Sequence, residues 1–492
     1  MNKPDLPRPS LAAGGASAQG LQQLADQAFK RAAGAPLIQG NSVRVLKDAA
    51  ENFPAWLDAI RAAERSVYFE SYIIGNDAVG REFVDALADR ARAGVRVRLL
   101  YDWLGTSVPR SFLAPLLEAG GEVRVFNPLR LDSPVGWLTR DHRKSIVVDG
   151  RVGFVSGLCA SARWLADPAR KLDAWRDTGV EIRGPAVAEV ERAFANVWAA
   201  CDGSAIREEE LTPPEAIPIA GDVALRVIAT VPNSGGLLRL DQLIAAAAHG
   251  RLWLTDAYFV GLTSYVQALC AAARDDVDVR LLVPGSSDLP VVSRISRAGY
   301  GPLLEGGVRV FEWNGSMLHA KSAVADERWA RVGSTNLNLA SWLTNYELDV
   351  AIEDERIAAD MAAMYERDLE NATEIVLGRR YRVRPAPEAG AERSGRRALS
   401  GSAGRAAAGA MGVGAAVGAA LTSRRTLGPA DAHLLSVFAA ILIAIAVIAV
   451  LWPPALAFPI ALISAWLGVV MLIRARGLWR KRRRALRQVA AE

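Results

Sequence analysis

Asp141–Gly150 reads DHRKSIVVDG, and Leu318–Glu327 reads LHAKSAVADE. Each string holds a histidine, a lysine two residues on and an aspartate seven residues on. These are His142, Lys144 and Asp149, then His319, Lys321 and Asp326, offset by 177 residues at every position. The 492-residue chain has only four histidines and seven lysines, so two histidines in identical company mark a duplicated motif. The apolar run between lysine and aspartate reads as a strand, whose period of two sets histidine and lysine on one face.

Working outward, the flanking sequence repeats in the same order. SVYFESYIIG, REFVDALADRARAG, VRVRLLYDW and GGEVRVF precede the first string; RLWLTDAYFVG, SYVQALCAAARDD, VDVRLLVPG and GGVRVFEW precede the second. Short β-branched runs alternating with helical periods predict a duplicated α/β fold with a largely parallel sheet. The expected halves are residues 40–205 and 223–378, joined by the acidic, proline-containing stretch 206–222. Residues 1–39 lack an apolar signal-peptide core and read as a disordered arm.

A histidine, a lysine and a carboxylate supplied twice by pseudo-twofold halves can converge on one pocket. One imidazole then attacks phosphorus while the other protonates the leaving alcohol. Two lysines hold the non-bridging oxygens, a scheme that needs no metal and no other cofactor. Downstream, Gly333-Ser334-Thr335-Asn336 offers a hydroxyl and an amide as a phosphate cradle, carried by Ser334 and Asn336. Asp177 in WRDT and Glu347 in NYEL stand at corresponding places, where a carboxylate fixes the tautomer of a catalytic imidazole. Asp149 and Asp326 are placed with the catalytic set, although holding the turn after the strand explains them equally well.

Charge divides the chain. Residues 379–492 carry 18 Lys and Arg against 4 Asp and Glu, a net of +14, while residues 1–378 carry 40 against 49, a net of −9. The basic part surrounds Leu434–Ile473, 40 residues without Asp, Glu, Lys, Arg or His, cut by Trp452-Pro453-Pro454. Each piece is about the ~20 residues that a membrane-crossing helix requires. The expected order is a basic linker at 379–433, a two-helix transmembrane hairpin at 434–473 and a basic tail at 474–492. Arg424 and Arg425 before the hairpin, and the run Arg480–Arg484 after it, put both ends and the body on the cytoplasmic side. The three cysteines are far apart and form no disulfide framework or zinc pattern.

HRKSIVVDGRVGFVSG, WRDTGVEIRGPAV, LHAKSAVADERWARVGSTNLN and NYELDV resemble the phospholipase D superfamily, and within it the bacterial cardiolipin synthases, over roughly Gly40 to Leu377. The resemblance implies a duplicated phospholipase D-like α/β sandwich with one active site. It implies reaction of two phosphatidylglycerols to cardiolipin and glycerol through a phosphatidyl-histidine, at the bacterial inner membrane. His142 and His319 would be nucleophile and general acid, in that order of preference. Two departures stand out: Cys159, in Ser156-Gly157-Leu158-Cys159, where the family pattern has an Asn, and Gly179 where WRDTH is common. A lipid hydrolase releasing phosphatidic acid is the alternative reading. A nuclease is the second alternative, against which the −9 body counts, since nucleic acid demands a basic groove. Phospholipid and an anionic membrane surface are thus the expected partners, with Trp103, Trp137, Trp313, Arg294 and Arg297 as the expected rim of the site.

Overall fold

The computed structural model describes residues 18–128, 139–170, 172–201, 204–377 and 383–385, with scattered residues between 443 and 476. The expected linker, hairpin and tail lie otherwise outside the described residues, as does Trp137. Among the described residues no helix is long and apolar enough to cross a membrane.

The first half contributes β1 (Ile38–Lys47), β2 (Ser66–Ser71), β3 (Arg96–Asp102), β4 (Glu122–Phe126), β5 (Lys144–Val148), β6 (Val152–Ser156) and β7 (Thr178–Arg183). The second contributes β8 (Val223–Thr230), β9 (Arg251–Thr255), β10 (Asp278–Pro284), β11 (Arg309–Trp313), β12 (Ser322–Ala325), β13 (Trp329–Gly333) and β14 (Glu347–Glu353), followed by β15 (Ala372–Leu377) and β16 (Val383–Pro385). Across the sheet the first half runs β1-β7-β6-β5-β2-β3-β4 and the second β8-β14-β13-β12-β9-β10-β11, extended by β15-β16. The two orders are the same. β1 pairs antiparallel with β8, so one sixteen-stranded sheet passes through both halves.

Duplication therefore holds, but the largely parallel sheet does not. Among the described residues the parallel pairings are β2 with β3, β3 with β4, and their counterparts β9 with β10 and β10 with β11. These neighbouring strands are joined by crossover helices, such as Ala78–Arg92 and Thr263–Arg274, which a parallel connection needs. The strand that follows each histidine instead turns back within a few residues, β5 into β6 and β12 into β13, and a tight turn permits only antiparallel pairing. The repeat also starts one strand earlier than its sequence similarity suggests, at β1 and β8.

The arm expected to be disordered contains the helix Ala18–Ala33. It belongs spatially to the second half. Ala33 and Ala35 are buried in that half's core, and the buried Arg226 on β8 donates to the Ala35 carbonyl at 3.1 Å and pairs with Asp26. The expected joint is not a loose connector either, since Ile206, Thr212 and Ile217 are buried and Thr212 donates its backbone N–H to Glu191 at 2.6 Å. Apolar residues gather in three clusters, one outside each half and a central one. The central cluster joins the helices Val187–Ala200 and Glu355–Leu369 to strands of both halves.

Asp149 and Asp326 lie at the ends of β5 and β12 remote from the histidines, which corrects their placement in the catalytic set. Both adopt left-handed backbone, at φ 57° and 51°, a conformation that Asp tolerates better than most residues. The Asp149 carboxylate accepts backbone N–H groups of Glu64, Arg65 and Ser66 at 2.7–2.9 Å, at the entry to β2. Asp326 does the same for His249, Gly250 and Arg251 at the entry to β9. The motif's aspartates thus fasten each catalytic hairpin to its neighbouring strand. Asp149→Ala removes the acceptor of three backbone hydrogen bonds and leaves an alanine in left-handed backbone. A loss of about 3 kcal/mol or more in unfolding free energy is expected by chemical denaturation, with Asp149→Asn clearly milder.

Candidate active site

His142 and His319 stand just before β5 and β12, beside the C-terminal ends of β2 and β9, where Lys144 pairs with Ser71 and Ser322 with Thr255. Two short parallel bridges join the halves there, Asp141 to Tyr346 and Arg176 to Leu318. Each histidine donates its backbone N–H to the residue before the other half's carboxylate: His142 to Tyr346 at 2.9 Å and His319 to Arg176 at 2.7 Å. The side chains then meet across the halves. His142 Nδ1 lies 2.9 Å from Glu347 Oε2, and His319 Nδ1 lies 2.8 Å from Asp177 Oδ2. Each of the two carboxylates read from sequence as tautomer-fixing groups thus lies against the histidine of the opposite half.

Electrostatics follow from burial. Desolvation lowers the His142 imidazole below its ordinary value against the pull of Glu347. It pushes His319 down to about 3, helped by Lys321 and opposed by Asp177. Burial acts to raise Asp177 and Glu347, but the paired histidines and nearby lysines outweigh it and hold both carboxyls below the usual range. Neutral rings beside ionised carboxylates donate from Nδ1, a tautomer assigned from these contacts, and leave the Nε2 lone pair for chemistry. Lys321 Nζ also sits 3.0 Å from His319 Nδ1. A nitrogen donating to Asp177 has no lone pair to offer, so the lysine's hydrogen bond is the one to the His319 carbonyl. Lys144 repeats it on the His142 carbonyl. Burial lowers Lys321 to about 8, against the attraction of Asp177.

The carboxylates are held in turn. Asp177 accepts from Trp164 Nε1 at 2.8 Å and from the Thr178 N–H at 2.9 Å. Glu347 accepts from the Ser334 hydroxyl at 2.6 Å, and that hydroxyl takes the Leu348 N–H at 2.9 Å. Ser334 is therefore occupied in orienting Glu347, which corrects its assignment as a phosphate contact. Asn336 is also buried, and its amide NH2 group is the kind of donor that a phosphate oxygen requires. At the corresponding place in the first half, Cys159 is packed in the core. The missing side chain at Gly179 also has a structural reason, because a Cβ there would overlap the Asn52 amide.

Sequence reading missed the walls. Tyr72 packs edge-on against the His142 ring at 5.0 Å, whereas Trp164, Trp175 and Tyr258 surround His319 at 5.3–5.8 Å. It also missed Arg143, which is fully buried and donates to the carbonyls of Glu347, Ala193 and Thr230 at 2.6–3.0 Å, tying β14 and β8 to the first half. Trp175 and Arg143 adjoin recognised motif residues, which was the available signal; Trp164 had none. Of the expected rim, Trp103 and Arg294 are exposed, Trp313 packs against the central core, and Arg297 is engaged by Glu312 at 2.6 Å.

A histidine depressed to about 3 binds fewer protons folded than unfolded between that pH and about 6.5. Its contribution to stability is full above pH 6.5 and is lost as pH falls toward 3. Denaturant titrations of wild type and His319→Gln across this window are expected to converge as pH falls, by up to about 1.4 kcal/mol per pH unit. Parallel curves would contradict the assignment.

A family model described as cardiolipin synthase, PLD-like domain, matches residues 56–198 and 240–369, once in each half. The cardiolipin synthase of Halalkalibacterium halodurans is 31% identical over 363 residues, covering 72% of this chain and 71% of that one. Cardiolipin synthase A of Pseudomonas fluorescens is 33% identical over 356 residues, covering 69% and 71%. Among solved structures, phosphatidylserine synthase of Haemophilus influenzae Rd KW20 superposes with a TM-score of 0.57 at 13% identity, over 71% of this chain and 92% of that one, a likeness of fold. Two matched halves, each with its histidine and lysine, and relatives aligned along most of their length establish that the chain belongs to the phospholipase D-like cardiolipin synthases, a family of phosphatidyl-transferring enzymes.

Proposed function

We propose that the enzyme moves a phosphatidyl group from phosphatidylglycerol to the hydroxyl of a second phosphatidylglycerol, yielding cardiolipin and glycerol through a phosphohistidine. The observation that carries this reading is the pair of buried imidazoles, each with Nδ1 engaged by a carboxylate and Nε2 left free. One Nε2 attacks phosphorus, the phosphorus–oxygen bond to glycerol breaks, and the leaving oxygen takes a proton from the other imidazole. The acceptor hydroxyl then gives its proton to that imidazole while attacking phosphorus, and the phosphorus–nitrogen bond breaks. Lys144, Lys321 and the Asn336 amide stabilise the charge on the non-bridging oxygens. Both rings are neutral before substrate arrives, so the proton for the acid enters with the anionic phosphodiester, whose charge raises the imidazole pKa. His142 is the preferred nucleophile and His319 the acid.

Transfer to lipid rather than water follows from tethering, which raises the local concentration of the lipid hydroxyl. The scattered described residues from 443 to 472 support a membrane hairpin at 434–473, since Ile443, Val447, Val450, Leu451, Phe458, Leu462, Val469 and Leu472 are all exposed. The basic flanks would keep both ends, and the catalytic body, cytoplasmic.

Purified full-length protein on phosphatidylglycerol vesicles should produce cardiolipin and glycerol by thin-layer chromatography. Phosphatidic acid as the main product would convert the reading to hydrolysis. His142→Ala and His319→Ala are each expected to lower turnover about 10²–10⁴-fold. A labelled phosphoprotein that is stable to base, labile to acid and lost in His142→Ala but retained in His319→Ala would assign the nucleophile; the reverse pattern would exchange the roles.

A further inference from the structure

The catalytic groups all sit at one end of the sheet, and the exposed large apolar residues of the body divide by that same criterion. Trp103 follows β3, whose parallel neighbour β2 ends beside Lys144. Leu165 and Leu172 lie in the connection from β6 to β7, which carries Asp177 at its end. Val231 follows Thr230, the partner of Glu347 in the pairing of β8 with β14. Val291 follows β10, whose parallel neighbour β9 ends at Thr255 opposite Ser322, one residue from Lys321. All five are 38–58% exposed. The three other exposed large apolar residues described in the body lie elsewhere. Leu117 precedes the start of β4, Val376 lies on β15 beyond Ile375, the partner of Val310 near the start of β11, and Ile219 precedes the start of β8.

We propose that Trp103, Leu165, Leu172, Val231 and Val291 form an apolar lip that inserts into the bilayer interface and presses the active site against the lipid surface. This rests on the phospholipid substrate proposed above and goes further, by naming the face of the body that meets the membrane. A second copy of the chain is disfavoured as occupant, because covering this end would close the route from bilayer to histidines. Charge argues for insertion over electrostatic adsorption: the body carries a net −9, so it is repelled by an anionic surface, whereas apolar side chains gain from burial whatever the lipid charge. Leu165 and Leu172 bracket an irregular segment with short helical turns at Ala162–Trp164 and Pro168–Arg170. Trp164 in that segment donates to Asp177, so the lip and the carboxylate serving His319 share one stretch of backbone. The hairpin supplies tethering and the lip supplies orientation.

The test uses full-length protein in nanodiscs with the expected hairpin intact, in a Cys201→Ser background, since Cys201 is half-buried while Cys159 and Cys270 are buried. An environment-sensitive fluorophore is attached at Leu172→Cys or, as a control at the far end of the sheet, at Leu117→Cys. Nitroxide-labelled lipid should quench the probe at 172 strongly and the probe at 117 weakly. Equal quenching overturns the proposal. In parallel, the combined variant Leu165→Ser, Val231→Ser and Val291→Ser is assayed on phosphatidylglycerol vesicles and on a short-chain, monomerically dispersed phosphatidylglycerol. Loss of about tenfold or more on vesicles with the dispersed substrate unaffected supports the lip. Equal loss on both makes these residues part of the substrate pocket and overturns bilayer insertion, as does no loss on either. The quenching arm reads insertion without turnover, so an enzyme that proved inactive on phosphatidylglycerol would refute the proposed reaction and leave the lip to be judged by fluorescence.

Discussion

The crossed pairing of each histidine with a carboxylate from the other half is the constraint on which the rest of the molecule depends. Neither half alone holds an oriented imidazole: His142 needs Glu347 and His319 needs Asp177. These contacts lie in a desolvated interior where an unmatched charge is costly, so the halves must meet with little freedom. Much of the architecture supplies that fixity. The β1–β8 pairing joins the sheets, the bridges at Tyr346 and Arg176 align the backbones, and the central core packs a helix from each half between them. Two buried arginines complete it, Arg143 on carbonyls of both halves and Arg176 on Asp368 at 2.8 Å and Asp48 at 3.3 Å.

The same desolvation prepares the chemistry. Both imidazoles are held neutral by burial, with two buried lysines and two buried carboxylates beside them. The halves are not equivalent. Four aromatic contacts are split one to His142 and three to His319, and the buried amide at Asn336 is matched in the first half by a thiol packed in the core. A duplicated fold has thus kept its geometry while letting the two rings occupy different surroundings.

How much of this was legible in the sequence depended on the range of the interaction. The histidines and lysines could be read because the same spacing recurs in both strings, although the histidines stand just before β5 and β12 rather than within them. Asp177 and Glu347 could be read because the repeat sets them at corresponding places, although which ring each served was not visible, since crossing is a property of how the halves assemble. The sheet direction was misread because alternation of strand and helix around β2, β3 and β4 was extended to strands that have no crossover helix. Asp149 was ambiguous because a carboxylate that accepts N–H groups from residues 64–66 looks the same in sequence as one that faces a substrate. Ser334 was misassigned for a related reason: its hydroxyl meets Glu347, 13 residues away, before it can meet a phosphate. The arm was misread because what holds Ala18–Ala33 against the second half, such as the pairing of Asp26 with Arg226, is a long-range contact that local composition does not show.

That helix closes the molecule in an unexpected order. The first described element of the chain docks on the later of the two halves, and Arg226, which holds it, follows 200 residues behind Asp26. A nascent chain can therefore collapse its first half as it emerges but must leave the leading helix undocked and His142 without its carboxylate until Glu347 has been made. Contacts of such long sequence separation slow folding. They also mean that a chain ending before Glu347 holds His142 without its carboxylate partner.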